Sequence, residues 1–124
     1  MRNIDKKCAI ALYESSNFKG GNTVVTSGWQ NHKYATSNHG MYLHGNQIVR
    51  ITTEGNLKDS TLVQFTLCGW DTPTTRARIN AVLEIFEGKM SLKKIKGQTY
   101  LVDYMDKTQM PIDSDQWYYT KVEV

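Results

Sequence analysis

The strongest periodic signal lies between residues 73 and 87. Ile79, Val82, Leu83 and Phe86 recur at i, i+3, i+4 and i+7, which is one face of a helix. Ala77 and Ala81 flank that face. Arg76, Asn80, Glu84 and Glu87 form a polar stripe on the other side. Thr72 is a natural N-cap, and Pro73 follows where a missing N–H costs nothing. Gly88 supplies the stop, with Lys89 close to the last carbonyls.

Elsewhere the period falls to two. In Leu62–Cys68, Val63, Phe65 and Leu67 share one side, and Leu62, Gln64, Thr66 and Cys68 the other. Gln47–Thr52 is the expected partner strand. Met41-Tyr42-Leu43 leads into it through a turn at His44-Gly45-Asn46, and Glu54-Gly55-Asn56 opens the loop that follows. Thr23–Thr26 is a short strand ended by Gly28, and Gly20-Gly21 reads as a hairpin turn. Lys7–Tyr13 fits strand and helix equally well. Gly97–Asp103 reads as a strand and Met110–Ser114 as a loop. In a final strand from Gln116 to Val124, Trp117 and Tyr119 oppose Tyr118, Thr120 and Val122. Short strands around one helix predict an α+β domain, 1–124, with an antiparallel sheet packed on one main helix at about 73–87. No internal repeat or low-complexity tract interrupts it.

A chain of 124 residues is long enough to bury a core without metal or disulfides. Hydrophobic residues at 40% and charged residues at 22% exclude wholesale disorder, and no apolar run reaches the ~20 residues of a membrane span. Met1–Lys7 is charged and does not read as a signal peptide. Reduced thiols at Cys8 and Cys68, in a cytosolic compartment, are therefore expected. The net charge of +3 is mild, but Lys89, Lys93, Lys94 and Lys96 crowd into eight residues, with Arg76 and Arg78 upstream. Such clustering can steer an anionic partner.

Most familiar chemistry is missing from the pattern. There is no G-x-x-x-x-G-K-[ST] or G-x-G-x-x-G loop. His32, His39 and His44 are spaced by seven and five, unlike known zinc patterns, so neither metal nor cofactor is expected. Cys68 with a histidine could make a nucleophile, and Asp113 with Asp115 a carboxylate pair, but burial on the sheet is the favoured reading of Cys68, and solvation accounts for the aspartates at least as well. The start of the helix is more suggestive. Thr72-Pro73-Thr74-Thr75-Arg76 places hydroxyls beside free N–H groups at the positive end of a macrodipole, with Arg78 a turn away. Phosphate or carboxylate would be well received there. The competing reading is a plain N-cap, its arginines paired with Asp71 and Glu84. Thirteen aromatics, among them Trp29, Tyr34, Tyr42, Trp70, Trp117, Tyr118 and Tyr119, suit base stacking, core filling or a protein interface.

Cys68-Gly69-Trp70-Asp71-Thr72-Pro73-Thr74-Thr75-Arg76-Ala77-Arg78-Ile79-Asn80 resembles a motif of small proteins of tailed bacteriophages. Leu43–Ile48 looks like the hairpin preceding it there, and Gln116–Tyr119 like their closing aromatic strand. The resemblance covers roughly residues 36–86, with an echo at 116–122. It implies a phage accessory protein that binds and blocks a host component. Joined to the residue reading, it gives a non-enzymatic antagonist of a host defence system. Its anionic ligand would be a signalling nucleotide or nucleic acid, held by Trp70, Thr72, Thr74, Thr75, Arg76, Arg78 and Asn80. An inhibitor of a host defence protein or nuclease and a Cys-dependent enzyme are the alternatives, and a homodimer fits either binding reading.

Overall fold

The computed structural model describes residues 2–28, 38–53 and 60–123. His32, Trp29, Tyr34, the Glu54–Asn56 loop and Val124 lie outside them. The chain runs α1 (Asn3–Tyr13), β1 (Phe18–Gly20), β2 (Thr23–Gly28), β3 (Asn38–Leu43), β4 (Asn46–Thr53) and β5 (Ser60–Phe65). It continues with α2 (Pro73–Phe86), β6 (Met90–Ile95), β7 (Gln98–Asp103), β8 (Thr108–Pro111) and β9 (Tyr118–Glu123). Two antiparallel sheets result: six strands in the order β1-β2-β3-β4-β5-β9, and three in the order β6-β7-β8. The architecture is α+β, as the periodicities predict, but the described residues hold two helices rather than one main helix.

The segment that read equally as strand or helix is α1. It buries Cys8, Ala9, Ala11 and Leu12, and it carries no side-chain N-cap. α1 and α2 pack on each other and on one face of the large sheet. Val25, Met41, Val49, Val63 and Phe65 meet Leu12, Ile79, Val82 and Leu83 in a continuous core. Val63, Phe65 and Leu67 are buried as predicted, and Trp117 and Tyr119 face out, but Thr66 is buried as well because β5 ends at Phe65, and β9 begins only at Tyr118. Gln47–Thr52 pairs with the 62–65 stretch, Val49 opposite Phe65.

Local chemistry sets the boundaries. Thr72 Oγ1 accepts from the Thr75 amide at 3.1 Å, with Pro73 just inside the helix. At the other end the amides of Glu87 and Gly88 both donate to the Leu83 carbonyl, and Gly88 adopts φ +76°. His44 and Gly45, both at positive φ, form the two-residue turn joining Leu43 to Asn46.

One expected loop is a strand in part, and a stretch to which the periodicities assign no element is another strand. Met110 and Pro111 belong to β8, an edge strand paired among the described residues with β7 alone. The lysine-rich stretch after α2 is β6, whose outer edge is closed by a side chain. Asn80 Nδ2 donates to the Leu92 carbonyl at 3.0 Å, and the Leu92 amide donates to Asn80 Oδ1 at 2.6 Å. The polar stripe of α2 thus faces a sheet edge at Asn80 rather than open solvent.

Candidate functional site

A cleft of about 480 Å³ opens at the amino-terminal end of α2. Its walls are Leu43, His44, Asn46, Ile48, Leu67, Cys68, Trp70, Thr72, Thr74 and Thr75. Three local irregularities shape it. Between Met41–Val49 and Tyr42–Gln47 the β3–β4 register slips, leaving Ile48 as an extra residue. Such a bulge re-aims a side chain, and Ile48 is buried in the cleft wall while its carbonyl accepts from the Thr66 amide. Cys68 and Gly69, at φ +55° and +78°, then swing the chain out of the sheet direction. That turn leaves Trp70 66% exposed at the rim. Last, the Thr72 cap sets the helix start against the opposite wall.

Four of the seven predicted residues therefore converge: Trp70, Thr72, Thr74 and Thr75. Thr75 is buried, its hydroxyl 2.9 Å from that of Thr72. Arg76, Arg78 and Asn80 are not among the lining residues, and each is engaged elsewhere. Arg76 pairs with Asp71, whose other carboxylate oxygen accepts from the Thr99 hydroxyl. Burial alone would raise the Asp71 carboxyl. The Thr99 hydroxyl, the Arg76 guanidinium and Lys94 outweigh it and hold the group below its ordinary value. Arg78 is only 3% exposed. It pairs with Asp5, and its Nε donates to Thr23 Oγ1 at 3.1 Å. The expected Arg76–Asp71 pairing is present, whereas Arg78 turns to Asp5 of α1 instead of Glu84. Asn80 clamps β6.

The cleft is accordingly apolar with a hydroxyl rim, and among the described residues no Lys, Arg, Asp or Glu lines it. Its apolar floor of Leu43, Ile48 and Leu67 escaped the sequence reading, which placed them on strands. His44 and Cys68 share the cleft, with no hydrogen bond between them among those the structure gives. His39 is buried elsewhere, its ring nitrogens 2.6 Å and 3.2 Å from the Leu12 and Thr26 carbonyls. Cys8 is buried too, and burial raises its thiol pKa. Among the described residues no group of side chains suits a metal ion, and no helix is long and apolar enough to cross a membrane.

Fold and cleft together define a small antiparallel α+β domain with a ligand-sized concavity at a helix start, distinct from a more open hollow of about 530 Å³ along β1 and β2. The chain belongs to the Kyanoviridae Gp96 protein family, a phage family, which matches residues 1–121. Searches of curated proteins and of solved structures found no match.

Proposed function

We propose that this phage protein is a non-enzymatic accessory factor that antagonises a host system by binding, and that a small nucleotide is its ligand. The cleft at the start of α2 carries the reading. Its volume of about 480 Å³ suits one small molecule rather than a strand of nucleic acid. A base would lie against Trp70 and the aliphatic floor. A phosphate would meet the hydroxyls of Thr72 and Thr74 at the positive end of the helix. Arg76 and Arg78 contribute to the frame and not to the ligand, because carboxylates already occupy them.

Calorimetry with linear and cyclic mono- and dinucleotides tests this. Heat with at least one nucleotide, weakened tenfold or more by Trp70→Ala, is expected. Absence of heat with every nucleotide overturns it.

A second reading, inhibition of a host protein, is favoured by the helix-free face of the large sheet. There Arg50 lies 4.8 Å above the Trp117 ring, and Tyr119 is 68% exposed. Such rigid aromatics suit an interface anchor. One stoichiometric host partner, lost on Trp117→Ala or Tyr119→Ala, would establish it over the nucleotide.

A further inference from the structure

The lysine cluster after α2 plays no part in the cleft. Five lysines against two aspartates leave residues 89–111 at +3, which is the whole of the chain's net charge. The β6–β8 sheet sorts those charges between its faces. Leu92, Thr99 and Asp103 turn inward and are buried. Lys94 lies on that side, 4.0 Å from Asp71. Asp103 caps the β7–β8 turn, accepting from the Met105 and Asp106 amides.

The opposite face carries Ser91, Lys93 and Ile95 from β6, and Tyr100 and Val102 from β7. Lys89 and Tyr104 extend it, joined by a Tyr104 amide to Lys89 carbonyl bond. Lys93 Nζ stands 5.7 Å from the centre of the Tyr104 ring, whose hydroxyl is 2.6 Å from Ser91 Oγ. Tyr104 is 50% exposed and Ile95 41%. No carboxylate alternates onto this face. Lys96 sits in the turn at one end, and Lys107, beside Asp106, in the turn at the other.

We propose that this outer face of the β6–β8 sheet docks a single strand of nucleic acid. Cationic side chains spaced along a sheet track a phosphate backbone, and the exposed Tyr104, with half-buried Tyr100 on the same face, offers a stacking platform to any base. Charge complementarity favours a polyanion, and the aromatic pair favours one with unstacked bases over a duplex or an acidic polypeptide. A six-residue strand is about 20 Å long, which is room for a few nucleotides. The surface is separate from the cleft and does not depend on it.

The test is fluorescence anisotropy with labelled oligothymidylate and oligouridylate, against a duplex of equal length and polyglutamate as competitor. Single strands should bind, with a log–log salt slope of about −2 for three neutralised phosphates. Tyr104→Ala should weaken binding roughly tenfold and Lys93→Glu at least as much. Trp70→Ala should leave it unchanged. Both altered side chains are exposed, so melting temperatures should hold and separate lost binding from lost folding. The proposal is overturned by no binding to single strands at low salt, by preference for duplex or displacement by polyglutamate, or by full affinity in Tyr104→Ala.

Discussion

Replacing Arg78 by alanine should be among the most damaging single changes in the protein. The guanidinium joins three elements: it pairs with Asp5 of α1, donates to Thr23 of β2, and rides on α2. Asp5 is 2% exposed. Without Arg78, its carboxylate keeps only Arg2, whose Nε is 2.9 Å away but whose side chain is 55% exposed. Removing one member of a buried pair costs about 3–5 kcal/mol, because the remaining charge stays desolvated. The surviving Arg2 contact pulls the value toward the lower end, about 3 kcal/mol. With a urea m-value of ~1.5 kcal/mol/M, the unfolding midpoint should fall by about 2 M. Asp5→Ala should be similarly costly. The double variant Asp5→Leu/Arg78→Met, which removes both charges, should recover much of the loss. A midpoint shift below about 0.5 M for Arg78→Ala would refute the reasoning.

Asp71 gives a pH prediction. Its folded carboxyl ionises more readily than its ordinary value of 3.8, so its stabilisation is fully present above that value and is lost as pH falls through the lower folded one. The stability gap between wild type and Asp71→Asn, followed by urea titration, should therefore narrow on acidification below about pH 4. Asn80→Leu should cost about 1–3 kcal/mol, since both Leu92 backbone groups lose their partner, and should speed hydrogen exchange at the Leu92 amide. Gly21→Ala should lower the melting temperature. Its φ is +54°, and a Cβ there would sit 2.5 Å from Ile4 Cδ1, so a loss of about 1 kcal/mol or more is expected.

How much of this was readable in the residues depended on whether the signal was local. Thr72-Pro73 and Gly88 bound α2 because capping acts over a few positions. His44-Gly45 marks its hairpin for the same reason. Lys7–Tyr13 was ambiguous because its apolar run carries no clear period and no capping side chain announces the start of α1. β6 was hidden because only Leu92 is well buried and its edge is closed by a residue twelve positions earlier. β8 was hidden because it is exposed throughout. The hydroxyl half of the cleft was legible as a capping motif. Its apolar half needed the slipped register that puts Ile48 into the wall. The partner of Arg78 lies 73 residues away, beyond the reach of any local pattern.

The place of β9 has a consequence for how the chain matures. β2 to β5 pair in succession, each with its neighbour, so that meander can assemble as the polypeptide emerges. β5 must wait for β9, whose partners lie 53 to 63 positions further on, after α2 and a whole second sheet. Until then its outer row of amides and carbonyls is an open template for a foreign strand. The last segment is a clasp, and misassembly between nascent copies should begin where it has yet to close.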